Sequence, residues 1–162
     1  MFDVAKIPDI YFFVAGASEG NTELTSFDGA LLAASVGDTN LIKMSSILPP
    51  KCEEVKPVKL PAGSFVPLAY ASITSTEPGE TISSAVAIAI PNDRSINGVI
   101  MEHHNHAPLE FVEKKVREMA EEAMKMRGIK DYTVQSKGVE AKVVHTATAF
   151  AAVVLWYKEL VK

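Results

Sequence analysis

The sequence is poor in cysteine and has no long apolar run. Its single cysteine, Cys52, cannot form a disulfide within the chain. No run approaches the roughly 18–20 consecutive apolar residues that a membrane-spanning helix needs, and the first residues lack the charged and then apolar pattern of a secretion signal. These absences predict a cytoplasmic protein that does not enter a membrane. Cys52 follows Pro-Pro-Lys in a predicted polar connector and has no adjacent histidine, so the sequence does not indicate a nucleophile.

Positive charge is also scarce. Lysine and arginine total 16 against 20 aspartates and glutamates, and the net charge of −4 gives no reason to expect a nucleic-acid partner. The sequence contains no Gly-X-Ser-X-Gly elbow, phosphate-binding loop, zinc-spaced cysteine pair or His-Glu-X-X-His motif. The usual signals of serine hydrolases, nucleotide-binding enzymes and zinc enzymes are therefore missing.

The residues that are present predict one domain over residues 1–162, because 48% of the chain is apolar and can form a substantial core. The hydrophobic periodicity predicts strands over residues 10–14, 39–46, 64–74, 81–90, 97–103, 132–141 and 143–157, and helices over 26–35 and 109–127. This order favours an α/β (α+β) fold with two packed sheets, each covered by one helix.

Local signals predict how several of these elements begin, end and pack. Small residues at 15–22 predict a loop, with Thr25 or Ser26 as the N-cap of the first helix and Gly37 as its C-terminal glycine. Pro67 predicts an edge strand or a bulge. Small side chains at every second position of residues 81–90 would let another sheet or strand approach closely. These small residues are Ser83, Ala85, Ala87 and Ala89.

Two carboxylates are candidates for chemistry. Glu102 ends the apolar stretch Gly-Val-Ile-Met-Glu, and an inward-facing glutamate there would suit a general acid. The alternative is a solvated carboxylate at a strand end. Asp28 lies in the first turn predicted for the helix over 26–35, where it either complements the helix dipole or binds a cationic ligand.

The histidine-rich stretch 102–106 has no role that the residues assign. His103 and His104 point to opposite faces of a strand, and His104 and His106 alone provide too few ligands, so we expect no metal. Ser45 and Ser46 end another predicted strand. A serine pair in such a position is ordinarily a turn.

Several stretches taken together resemble one known family. The specific parts are residues 40–50, Asn-Leu-Ile-Lys-Met-Ser-Ser-Ile-Leu-Pro-Pro, and residues 98–102, Gly-Val-Ile-Met-Glu. Supporting similarity lies in residues 14–20, 27–32, 60–63, 78–83, 87–91 and 149–157. Over about residues 12–158 the chain resembles the pyruvoyl-dependent arginine decarboxylases.

This resemblance implies a self-cleaving precursor. The peptide bond between Ser45 and Ser46 would be cut by autocatalytic serinolysis, which gives a β chain of residues 1–45 and an α chain of residues 46–162. Ser46 would become a pyruvoyl group, a covalent carbonyl cofactor. The family fold is a four-layer α/β/β/α sandwich, and processed units form a trimer with sites between neighbours.

The resemblance also implies a reaction and residue roles. The pyruvoyl group would form a Schiff base with L-arginine and accept electrons as CO2 leaves, giving agmatine. Glu102 matches the proton donor, and Asn40 matches a residue that assists processing and holds the pyruvoyl region. Asp28 matches the carboxylate that pairs with the guanidinium group, and Leu31 would line the aliphatic stem. Ser45, as the new terminus, counts among the substrate-binding residues.

Two alternatives stay open. The chain could decarboxylate another amino acid, in which case the charge of Asp28 argues for a cationic substrate. It could also be an uncleaved, non-catalytic trimeric α/β protein that binds a ligand or metal through residues 102–106. Self-cleavage separates the two classes.

Overall fold

A computed structural model of the protein describes residues 6–161. Within this range the chain forms two α-helices, α1 (Glu23–Ala33) and α2 (Leu109–Met126), and a short 3-10 helix (Lys158–Leu160). The strands of this range are β1 (Ile10–Glu19), β2 (Asn40–Lys43), β3 (Ile47–Leu48), β4 (Glu53–Glu54), β5 (Phe65–Ser75), β6 (Thr81–Pro91), β7 (Gly98–Asn105), β8 (Tyr132–Lys142) and β9 (Ala147–Trp156).

The strands form two sheets. The first has the order β2-β5-β9-β1-β4, and the second has the order β3-β7-β6-β8. In the first sheet β9 is antiparallel to both β5 and β1, whereas β2 and β4 pair in parallel at the two edges. The strands β2 and β3 follow each other in the chain but belong to different sheets, so the chain crosses between the sheets at residues 44–46.

Side-chain alternation sorts the core into layers. On β6, Val86, Ile88 and Ile90 face the first sheet, while the alanines between them face α2. A separate cluster buries α1 against the outer face of the first sheet. The predicted α+β fold of two sheets, each covered by a helix, is confirmed. The prediction that the small residues of β6 admit another sheet is wrong, because Ala85, Ala87 and Ala89 admit the helix α2.

The predicted loop at 15–22 is also wrong. The strand β1 continues to Glu19 because residues 15–19 pair with β9, up to the partners Glu19 and Ala147. The N-cap of α1 is Thr22, whose Oγ1 accepts a hydrogen bond from the Thr25 amide at 3.1 Å, while the Thr22 amide donates to Thr25 Oγ1 at 3.0 Å. At the other end Ser35, with φ 62°, takes the left-handed position that the sequence assigned to Gly37.

Three further predictions are corrected by the sheets. The strand β5 is not an edge strand, and Pro67 lies one residue before its ladder with β9 begins at Leu68. The strand β9 begins at Ala147 rather than at residue 143. Cys52 lies in the core between the sheets rather than in a polar connector, and burial raises the pKa of its thiol to about 12. No helix within residues 6–161 is long and apolar enough to cross a membrane.

The Glu19 carboxylate stabilises the turn between β8 and β9 through hydrogen bonds. Its carboxylate accepts hydrogen bonds from the backbone amides of Val144, His145 and Thr146 at 2.7, 3.0 and 2.9 Å, and these bonds lower the pKa of Glu19. A carboxylate with a lowered folded pKa stabilises the fold above its usual value of 4.5, and this stability is lost as the pH falls through the folded pKa.

We therefore expect Glu19→Gln to lower the midpoint of thermal unfolding at neutral pH, with a difference from wild type that shrinks as the pH falls below the usual carboxyl range. The measurement is thermal unfolding followed by circular dichroism between pH 3 and pH 7. The control is Glu77→Gln, because the Glu77 carboxylate makes no hydrogen bond with a residue that the structure describes. A pH-independent difference would contradict this account.

Candidate active site

The Ser45–Ser46 peptide bond lies where the chain passes from one sheet to the other. Before it, the Met44 amide donates to the Leu68 carbonyl on β5 at 2.8 Å. After it, the Ser46 carbonyl accepts from the Ile100 amide on β7 at 2.8 Å. The bond is therefore held by a different sheet on each side.

The reactive groups of the pair are free. Ser45 is exposed and Ser46 is half-buried in a bend of the chain. Within residues 6–161, no hydrogen bond occupies either hydroxyl group or the Ser45 carbonyl. Both the nucleophile and the carbonyl that an N-to-O acyl shift requires are thus available.

Glu102 extends toward this crossing from β7. It lies two residues beyond Ile100 on the same face of the strand, about 7 Å farther along it. One carboxylate oxygen, Oε1, lies 2.9 Å from Lys43 Nζ. The other, Oε2, is buried and has no hydrogen-bond partner among the described residues. A buried acceptor without a partner is costly, so Oε2 is a candidate polar atom of this site.

A cavity of about 220 Å³ opens beside Glu102. Its walls come from Lys43, Tyr70, Ala71, Ser72, Glu102, His103 and His104. Burial lowers the pKa of His103, with smaller contributions from His104 and Lys115, so its imidazole is neutral at neutral pH. His106 lies apart from this cavity and pairs through Nδ1 with Glu80 Oε1 at 2.7 Å.

A larger cavity of about 710 Å³ lies at the opposite edge of the sandwich, between β4 and β8. Its walls include Phe13, Glu54 and Gln135. None of the residues that the sequence singled out for chemistry lines it, so the smaller cavity is the candidate site.

The remaining predicted residues are dispersed over the first sheet and α1. Asn40 begins β2, and its Nδ2 donates to the Gly63 carbonyl at 3.1 Å. Ser45 follows five positions later in the chain, at most about 17 Å away. Leu31 is 7% exposed and packs between α1 and the first sheet. Asp28 is exposed on α1, and its carboxylate has no hydrogen bond or ion pair with a described residue.

The sequence reasoning missed Lys43 and Tyr70. The Lys43 ammonium lies 4.5 Å from the centre of the Tyr70 ring as well as beside Glu102. A signal for Lys43 was present, because residues two apart on a strand face the same side and Lys43 precedes Ser45 by two. No comparable local signal marks Tyr70, which reaches the site through the pairing of β2 with β5.

Comparison with known proteins identifies the family. The sequence profile of the pyruvoyl-dependent arginine decarboxylases matches residues 10–159. The chain belongs to this family. The chain is 50% identical to the pyruvoyl-dependent arginine decarboxylase of Methanocaldococcus jannaschii over 94% of this chain and 93% of that protein. It is 45% identical to that of Methanococcus aeolicus over the same shares, and 38% identical to that of Pyrococcus horikoshii over 92% and 96%.

Membership of the pyruvoyl-dependent arginine decarboxylases establishes the cofactor as a covalent pyruvoyl group. The residues at the crossing between the sheets fit this group. Ser46 has a free hydroxyl beside a free carbonyl, and the unpartnered Oε2 of Glu102 provides a polar atom on the neighbouring strand. The resemblance inferred from residues 40–50 and 98–102 is confirmed.

Proposed function

We propose that the chain cuts itself between Ser45 and Ser46 and that the product converts L-arginine to agmatine and CO2. The cut would leave a β chain of residues 1–45 and an α chain of residues 46–162, with the cofactor derived from Ser46. The observation that carries this proposal is the crossing itself. It holds an unbonded serine pair between the two sheets, and the strand that binds the Ser46 carbonyl through Ile100 also carries Glu102.

The cleavage is a balanced sequence of bond changes. Ser46 Oγ attacks the Ser45 carbonyl carbon, and the amide nitrogen leaves, so an ester replaces the peptide bond. Loss of the Ser46 α-proton then breaks the Cβ–Oγ bond and releases Ser45 with a terminal carboxylate. One water hydrolyses the dehydroalanine that remains, which releases ammonia and leaves the carbonyl at position 46.

In turnover, the pyruvoyl group supplies a carbonyl that holds the substrate amine and accepts the electrons freed as CO2 departs. Glu102 then donates a proton to the carbon that has lost CO2, from the wall of the cavity described above. Asp28 pairs with the guanidinium group, since a carboxylate accepts two parallel hydrogen bonds from that planar fork. Asn40 assists processing, Leu31 lines the aliphatic stem, and the carboxylate of Ser45 contacts the substrate.

Open sheet edges support an assembly with sites between neighbouring chains. The strand β2 covers β5 only over residues 65–68, and β3 covers β7 only at Gly98 and Val99. Apart from the hydrogen bond of Ile100 to Ser46, the rest of both strands is unpaired on this side within residues 6–161. Unpaired edges of this kind are ordinarily covered. A trimer of processed units would cover them, and sedimentation of the purified protein measures that state.

The direct test combines mass and product. Intact mass spectrometry of the purified protein should show two fragments that meet between residues 45 and 46. The larger fragment should resist N-terminal sequencing because it begins with a carbonyl rather than an amine. Incubation with arginine should yield equal amounts of agmatine and CO2. A single uncut chain without agmatine formation would overturn the proposal, and cut protein that acts only on another amino acid would overturn the substrate.

Substitution of Asp28 tests the substrate assignment. We expect Asp28→Ala to cut itself normally but to raise the KM for arginine about 10- to 100-fold, because a hydrogen bond to a charged group contributes about 1.5–3 kcal/mol. Steady-state agmatine formation by fully processed protein measures this. Asp38→Ala removes another exposed aspartate and serves as the control. Unchanged arginine kinetics in Asp28→Ala would contradict the role of Asp28.

A further inference from the structure

Lys43 is held between two groups of the site, neither of which belongs to its own strand. Its ammonium lies 2.9 Å from Glu102 Oε1 on β7 and 4.5 Å from the centre of the Tyr70 ring on β5. The side chain of Lys43 is 51% exposed and that of Glu102 is 33% exposed. An exposed ion pair contributes little to stability by itself, so the value of this pair lies in where it holds Glu102.

The second group that holds Lys43, the Tyr70 ring, packs against the core of the protein. The Tyr70 ring packs against Phe150 with 5.3 Å between ring centres, and Phe150 is fully buried on the central strand β9. A cation over an aromatic face gains from the ring quadrupole and restricts the motion of a flexible lysine. The position of the ammonium is therefore determined by packed groups, although the lysine itself is half in solvent.

The two oxygens of Glu102 are unequal as a result. Lys43 occupies Oε1, whereas Oε2 is buried without a partner. The other polar residues that line the cavity are His103, His104, Tyr70 and Ser72, and none of them bonds to either oxygen of Glu102. Lys43 is thus the one described side chain that selects an oxygen of Glu102.

We propose that Lys43 is a positioning residue for proton transfer by Glu102. This inference rests on the proposed function, in which Glu102 is the proton donor. In the neutral acid, Oε1 is the carbonyl oxygen and accepts from the Lys43 ammonium, so the proton resides on Oε2. The pair thereby fixes which oxygen carries the proton and prevents the carboxyl group from rotating between two orientations.

The expected size of the effect follows from geometry. A donor must lie within hydrogen-bond reach of the atom that it protonates, and a displacement of about 1 Å can cost on the order of 100-fold in rate. We expect Lys43→Met, which keeps the length of the side chain without its charge, to lower kcat about 10- to 100-fold per processed chain. The KM for arginine should change less than about threefold, because Lys43 acts on Glu102 rather than on the substrate.

The test compares four variants with wild type, with the fraction of cut chain counted by intact mass. Lys43→Arg keeps the charge and should restore most of kcat. Tyr70→Leu removes the second anchor and should lower kcat. Lys158→Met removes a lysine from a remote ion pair, Lys158 Nζ to Glu53 Oε2 at 2.8 Å, and should leave kcat unchanged.

The outcomes separate this inference from the proposed function. An uncut, inactive wild type overturns the proposed function. An active wild type with unchanged kcat in Lys43→Met overturns the positioning role, and so does a rise in KM alone or an equal loss in Lys43→Arg. If Lys43→Met fails to fold or cut, Tyr70→Leu decides, because it leaves the lysine in place. An unchanged kcat in Tyr70→Leu then overturns the inference.

Discussion

The substitution Ser46→Ala is expected to leave the chain in one piece of residues 1–162 and to reduce agmatine formation to the uncatalysed background. The alanine has no Oγ, so neither the ester nor the later elimination can form, and no carbonyl arises at position 46. The two consequences have one cause and must appear together. Denaturing gel electrophoresis and intact mass report the first, and product formation from arginine reports the second.

The matched control is Ser45→Ala. Only the backbone carbonyl of residue 45 takes part in bond breaking, and the Met44 and Ser46 hydrogen bonds that hold the crossing do not use its side chain. We therefore expect Ser45→Ala to cut itself. If Ser46→Ala is cut and Ser45→Ala is not, the roles of the two serines are reversed. If both are cut, the bond that breaks lies elsewhere.

The long elements were predictable because their patterns are strong and local. The helix α2 places Val112, Val116 and Ala120 on one buried face, and the β-branched and aromatic residues of the apolar run that forms β9 favour a buried strand. The two-sheet arrangement with one helix on each sheet follows from the order of such elements. These features required only periodicity and length.

The first half of the chain was harder to predict because its structure depends on pairing with residues that are distant in the sequence. Residues 15–19 are small and polar and do not favour a strand by composition, yet ten consecutive residues of β1 pair with β9. Gly16 belongs in this strand because a Cβ there would lie 2.5 Å from the Ala30 carbonyl oxygen of α1. The glycine that looked like a loop residue is instead what allows the helix to approach the sheet.

The residues of the candidate site also fall into two groups, those that the sequence indicates and those that only folding brings together. Ser46 and Glu102 were proposed from the similarity of two short stretches to a known family, because composition alone assigned them no role. Lys43 was not found, because its partners Tyr70 and Glu102 belong to two different sheets that only the folded chain brings together. A residue whose role is to orient another has no motif of its own.

The substitution Glu102→Gln is expected to leave self-cleavage intact and to lower kcat about 100- to 10,000-fold, the usual range for loss of a general acid. The amide oxygen of glutamine can still accept a hydrogen bond from the Lys43 ammonium, so the side chain keeps its anchor. The amide group cannot deliver a proton to the substrate carbon. This variant therefore separates proton delivery from the position of the side chain, whereas Lys43→Met changes the position and leaves the acid in place.

Glu80→Gln provides the control for this last substitution. Glu80 is a glutamate of similar exposure, 29% against 33%, and it pairs with His106 as Glu102 pairs with Lys43. We expect the kcat of Glu80→Gln to stay within about twofold of wild type, because Glu80 does not line the cavity beside Glu102. Rates are compared per processed chain over a range of arginine concentrations. A kcat for Glu102→Gln equal to that of Glu80→Gln would assign the proton to another donor, and an uncut Glu102→Gln chain would move the role of Glu102 to the cleavage step.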